Sequence, residues 1–258
     1  MDERETCFRA LLAYAEQDDN VLALFVFGSR GRDDGMADAR SDYDVAVVLK
    51  EGLDVLRTFD ERWPYVHGAA VEVARSTLSE LREHGEYGTA TACARSQYAH
   101  VRLLVDKTDG DVRAVLAEKQ RIPTGVRERV VREALDAYVN STYRSLRYGM
   151  VGARGGARLD AAESIPHLLT AVFAMAGRVR PFNKYLAAEL RRQPLGDGAW
   201  AADAFPERLM AVLAGDVDEQ RALFGAVEET AREQGFGDVI AAWEPGVALL
   251  RGDAEYRV

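Results

Sequence analysis

Val21-Leu22-Ala23-Leu24-Phe25-Val26-Phe27-Gly28-Ser29 and, after a polar interval, Ser41-Asp42-Tyr43-Asp44-Val45-Ala46-Val47-Val48-Leu49 are the segments that decide the fold. The first is a continuous apolar run rich in β-formers, which reads as a buried strand over Val21–Phe27. It stops abruptly at Gly28-Ser29. Residues 30–41 are polar, carry Gly31 and Gly35, and read as a loop. A second buried strand follows over Asp44–Leu49, entered through Asp42 and Asp44. Residues i and i+2 of extended chain share a face, so these two carboxylates point the same way.

Working outward, residues 3–17 have a helical apolar stripe of Phe8, Leu11, Leu12 and Ala15. On the other side come a helix over 53–62, a third strand over 69–74 with Val71-Glu72-Val73 at its centre, and a short helix over 77–84. A fourth strand is expected over Tyr98–Val105, closing at the turn signal Asp106 to Gly110, and a helix over 111–119. At Arg121-Ile122-Pro123-Thr124-Gly125 the pattern changes, and Thr124 can cap the next helix. Beyond it the period is helical, with helices expected near 125–149, 158–177, 182–192, 205–214, 217–234 and 237–250. The glycine-rich stretch 149–156 separates the first two, and Pro166 falls inside the second. The expectation is an α+β fold: an N-terminal mixed sheet with helices over residues 1–120, then an all-α helical bundle over 121–258.

The bulk properties narrow the function classes. The chain has 258 residues, 48% hydrophobic and 29% charged, as in ordinary globular proteins. It has no apolar run long enough for a membrane span and no basic start followed by an apolar run, so a cytoplasmic protein is expected. Neither Cys7 and Cys93 nor the four histidines show metal-ligand spacing. The net charge of −9 disfavours a nucleic-acid partner. Residues 121–192 nonetheless hold thirteen Lys/Arg against six Asp/Glu, leaving −16 on the rest of the chain.

The chemistry concentrates at Gly28-Ser29, Asp42, Asp44 and Glu72. Gly28 lets the backbone turn and approach a ligand, and Ser29 offers a hydroxyl and an N–H to a phosphate oxygen. If the third strand pairs beside the second, Glu72 joins Asp42 and Asp44. Carboxylates on one face repel unless a cation sits between them. Such a hard-oxygen site suits Mg²⁺, and two ions roughly 3.5–4 Å apart would clamp an in-line displacement at phosphorus.

These motifs resemble those of the DNA polymerase β-like nucleotidyltransferase superfamily. The loop Gly28-Ser29-Arg30-Gly31-Arg32-Asp33-Asp34-Gly35 is most similar to the antibiotic nucleotidyltransferases of the aminoglycoside (kanamycin) type. The match covers residues 20–75, with a loop between Ser29 and Asp42 about two residues longer than usual, an insertion that loop tips tolerate. The resemblance implies a small α/β domain followed by a helical, acceptor-binding one. It implies that Asp42, Asp44 and Glu72 bind metal and that Gly28, Ser29 and Arg30 hold the nucleotide. The activity it implies is Mg²⁺-dependent transfer of a nucleoside monophosphate, AMP from ATP or the equivalent from another NTP, onto a small-molecule hydroxyl. An aminoglycoside-type acceptor would make the protein an antibiotic-resistance enzyme.

In the helical half, Asp136 and Asn140 stand where the resemblance puts a base and a phosphate ligand. Arg144 and Lys184 are candidates for nucleotide phosphate, and Glu163 for the acceptor. A homodimer is compatible with the resemblance. Two other readings stay open: a protein-adenylylating enzyme of the antitoxin kind, and a non-catalytic nucleotide-binding module.

Overall fold

The computed structural model describes residues 3–253. The chain divides into two compact units, Met1–Arg121 and Ile122–Val258.

The first unit is a four-stranded mixed sheet with helices on both faces. After α1 (Glu3–Gln17), strand β1 (Val21–Phe27) leads into a single helical turn, α2 (Gly28–Gly31). Strands β2 (Tyr43–Leu49) and β3 (Val71–Thr77) flank α3 (Leu53–Arg62); then come α4 (Leu78–Glu83), β4 (Arg102–Asp106) and α5 (Asp111–Lys119). The sheet order is β3-β2-β1-β4. β1 runs antiparallel to β2 and β4, whereas β2 and β3 are parallel, joined by α3 as parallel neighbours require.

Period-two alternation gives the sheet two distinct faces. Leu24, Val26, Val45, Val47, Val71 and Val73 point to one, where Phe8 and Leu11 of α1 and Phe59 of α3 cover them. Ala23, Phe25 and Val48 point to the other, packed with Leu81, Tyr98, Val112 and Leu116. Both central strands are therefore buried on each side, which explains why they read as continuous apolar runs.

Two expectations are corrected in this unit. Residues 30 and 31, expected in the loop, belong to the helical turn that begins at Gly28. The fourth strand starts later than expected, because Ala92–Tyr98 forms a 3₁₀ segment that sends Tyr98 into the core.

The second unit is built from helices. α6 (Thr124–Met150) and α7 (Arg154–Met175) are long and fold back on each other across residues 151–153. Gly155 and Gly156 lie inside the first turns of α7, so the glycine-rich stretch is a tight hairpin, not a spacer. After a 3₁₀ turn at Asn183–Tyr185 come α8 (Leu186–Arg192), α9 (Ala204–Ala214), α10 (Val217–Glu233), α11 (Gly237–Ala241) and α12 (Val247–Arg251). The single helix expected over 237–250 is two helices, divided where Pro245 cannot donate to the helical ladder. Leu135, Val139, Leu168, Phe173, Phe205 and Phe224 are among the buried residues of this unit. Among the described residues, no helix is long and apolar enough to cross a membrane.

Candidate active site

The sheet face away from α1 and α3 carries the acidic residues. Strand register sets them in rows: Phe27 opposite Asp44, and Asp44 opposite Glu72. Tyr43 fixes this orientation from the other side. Its ring stacks on Phe8 at 4.1 Å and its hydroxyl donates to Glu5 at 2.5 Å. With Tyr43 held there, the pleat sends Asp44 to the opposite face. Asp42 stands one residue before β2.

Gly28 shows how closely the β1 turn approaches this row. Its φ is +62°, and a Cβ placed on it would lie 1.9 Å from Asp44 Oδ2. Only glycine fits, both for the left-handed backbone and for the carboxylate seated against it. A Cβ on Gly31 would likewise meet the carbonyls of Val26 and His100 at 2.7 and 2.9 Å. The turn is thus pressed onto the end of the sheet, with Ser29 buried beneath it at 2% exposure.

The loop 32–41 is tied down rather than free. Arg30 donates through Nε to the carbonyls of Ser41 and Asp42 at 3.0 and 3.1 Å, and its guanidinium lies 4.0 Å from the Tyr43 ring centre. The resemblance puts Arg30 at the nucleotide; its observed contacts fix the backbone on which Asp42 stands. Asp38 accepts the N–H groups of Arg40 and Ser41 at 2.8 and 2.9 Å. The Arg40 N–H foremost, with help from Ser41, holds its carboxyl below the usual range. Arg32 and Asp34 form a nearly buried pair at 2.5 Å.

Glu72 has its own holders on the segment before β3. It accepts the N–H of Gly68 at 2.5 Å and the Tyr65 hydroxyl at 3.4 Å, and His67 Nδ1 lies 3.4 Å away. The charge of Glu72 is the main cause that raises the Tyr65 phenol above its ordinary value, and Asp44 adds to it. One exposed phenol therefore feels both carboxylates.

Asp44 and Glu72 line a cavity of about 710 Å³. Its floor continues along the sheet as Phe25, Ala46, Ala74 and Ser76, and its far walls include His84, Thr91, Gln97 and Tyr98. The His84 Nδ1 and the Tyr98 hydroxyl are 2.7 Å apart. Burial first, then the charge of Lys119, lowers the His84 imidazole, so it is neutral at neutral pH. A volume of this size is typical of small-molecule sites. Tyr65, Gly68, Ala46, Ala74 and Gln97 were not foreseen from sequence. Ala46 and Ala74 each stand two residues after an acid.

The residues present suit a hard divalent cation in part by themselves. Asp44 and Glu72 offer carboxylate oxygens from adjacent strands; Asp42 is not among the cavity-lining residues. Among the described residues, no group of three His, Cys, Asp or Glu side chains is gathered tightly enough to cage a metal. Mg²⁺ usually keeps several waters and binds through one or two carboxylates plus substrate phosphates, so a two-carboxylate seat matches its chemistry.

In the helical unit, two of the expected residues hold each other. Arg144 on α6 donates to Asp160 at 2.6 Å and to Glu163 at 2.8 Å, both on α7. The hydrogen bond to Asp160 is the main cause that raises the guanidinium above its ordinary value. Asp136 accepts the Trp243 indole N–H at 2.9 Å. Asn140 is half-buried and Lys184 is exposed on the 3₁₀ turn, its Nζ 5.3 Å from the Tyr185 ring centre.

No protein-family model matches the sequence, and no curated protein matches it. Among solved structures, a nucleotidyltransferase-like protein from Exiguobacterium sibiricum 255-15 aligns over 94% of this chain and 91% of its own, at 12% identity and a TM-score of 0.38. A likeness this remote says nothing about the reaction.

Proposed function

We propose that this protein is a nucleotidyltransferase that moves a nucleoside monophosphate from an Mg²⁺-bound NTP, ATP in the first instance, to a hydroxyl of a small molecule. The observation that carries the proposal is the row formed by Asp44 and Glu72 in the lining of the cavity, with Gly28 seated against the Asp44 carboxylate. Two carboxylates on neighbouring strands repel each other, and a fold keeps such a pair where a cation makes use of it.

In this reading Asp44 and Glu72 hold the metal, with Asp42 presented by the Arg30-braced backbone. When bound, the ion neutralises charge on the phosphates and lowers the pKa of the attacking hydroxyl. The chain's own part is placement. The phosphates are assigned to the Gly28-Ser29 turn, beside the Asp44 carboxylate. Gly68 and Tyr65 orient Glu72. A net charge of −9 favours an acceptor without negative charge.

The test is calorimetric titration of Mg–ATP into wild type, Asp44→Asn and Glu72→Gln, each checked for an intact thermal transition. The proposal expects binding that requires Mg²⁺ and is lost in both variants. Binding of equal strength in EDTA, unaffected by either substitution, would sink it.

A further inference from the structure

The register that pairs Asp44 with Glu72 places a second row beside it on the same face: Phe25 opposite Ala46, and Ala46 opposite Ala74. The two rows are two residues apart along each strand, about 7 Å. All six side chains line the cavity. The cavity exists over the second row because β2 and β3 carry alanine there, where their opposite face carries valine. The result is a shelf with Phe25 at one side, two methyl groups as its floor, and Tyr98 among its walls. The lining also carries polar groups, among them Arg75, Glu80, Glu83, Ser76, Thr91 and the neutral His84.

We infer that this shelf receives the body of the acceptor, and that the acceptor is a hydroxyl compound with a flat apolar ring system. The inference rests on the nucleotidyl-transfer reading and deepens it. If phosphates lie at the Gly28-Ser29 turn, beyond the end of β1, the pyrophosphate departs on that side of the acidic row. In-line displacement then brings the entering hydroxyl from the opposite side, where the shelf begins. The acceptor oxygen forms its bond to the α-phosphorus as the bond to the bridging oxygen of pyrophosphate breaks, and the hydroxyl proton passes to solvent base. A shelf of methyl and aryl groups rewards a flat apolar surface. Glu80 and Glu83 of α4 line the same cavity, and Glu80 accepts the Thr77 N–H at 2.8 Å.

The experiment uses 2-naphthol as the ring probe and kanamycin as the polycation, each followed by ligand-observed NMR on the full chain. Wild type is compared with Ala46→Leu and Ala74→Leu, two half-buried positions on different strands, with Mg–ATP binding measured in parallel. The expected result is naphthol binding to wild type that both leucines weaken by about tenfold or more, with Mg–ATP affinity unchanged. Kanamycin binding that exceeds naphthol binding, or naphthol binding that both leucines leave intact, would overturn the inference. Failure of Mg–ATP to bind wild type, with naphthol still lost in the leucine variants, would instead remove the nucleotidyl-transfer reading and leave the shelf as a ring-binding site.

Discussion

Gly28→Ala is the substitution whose consequences can be worked furthest. The new methyl would meet two separate obstacles. The backbone at φ +62° is left-handed, which costs a non-glycine residue about 1–2 kcal/mol. The Cβ would also lie 1.9 Å from Asp44 Oδ2, so the carboxylate must swing away from its rotamer at a further cost of about 1 kcal/mol. Urea unfolding should therefore show a total loss of about 2–3 kcal/mol. The two terms separate in a double-mutant cycle. In an Asp44→Ala background the second obstacle is absent, and Gly28→Ala should cost only about 1–2 kcal/mol, a coupling of roughly 1 kcal/mol. Gly28→Ala should also weaken Mg–ATP binding, because the displaced carboxylate is the one assigned to the metal. Strictly additive energies, or full nucleotide affinity in Gly28→Ala, would refute the reasoning.

Other outcomes rest on single contacts. Lys119 is 1% exposed and donates at 2.8 Å to the carbonyls of Arg82 and His84 and to Glu86, so Lys119→Met should cost about 3 kcal/mol in urea unfolding. Burial pushes the Glu86 carboxyl up, but Lys119 and Arg95 outweigh it and hold it below its ordinary value. Its stabilising contribution is therefore present above the unfolded pKa and lost as pH falls through the depressed folded one; Glu86→Gln should flatten the acid limb of a stability–pH profile. Arg30→Lys keeps the charge but loses the fork that spans the Ser41 and Asp42 carbonyls, so Mg–ATP affinity should fall by about tenfold or more with little change in thermal midpoint. Asp44→Asn relieves the repulsion with Glu72, so the metal-free protein should gain up to about 1 kcal/mol while losing metal-dependent binding.

Sequence reasoning reached the first unit because its central strands are covered on both faces and their apolar runs are unbroken. Gly28 was legible for the same reason: a strand that ends at once in Gly-Ser must turn hard. The strand expected over 98–105 starts at Arg102 instead: Tyr98, Val101 and Leu103 look alike in one dimension, yet Tyr98 belongs to a 3₁₀ segment and Leu103 to β4. Arg144 and Glu163 are separate candidates in the sequence, because spacing along two helices does not show that they pair across the α6–α7 hairpin. The shelf was out of reach for a related reason. Ala46 and Ala74 acquire meaning only when register sets them side by side beside Asp44 and Glu72.

The central claim is that two carboxylates on neighbouring strands bind a metal whose remaining ligands come from a nucleotide. Mn²⁺ titration followed by electron paramagnetic resonance, with and without a non-hydrolysable ATP analogue, tests it most directly. The expected result is weak Mn²⁺ binding alone, at least tenfold tighter binding with the analogue present, roughly what one or two added phosphate ligands supply, and neither in Asp44→Asn or Glu72→Gln. Mn²⁺ affinity that is indifferent to the analogue and survives both substitutions would contradict it.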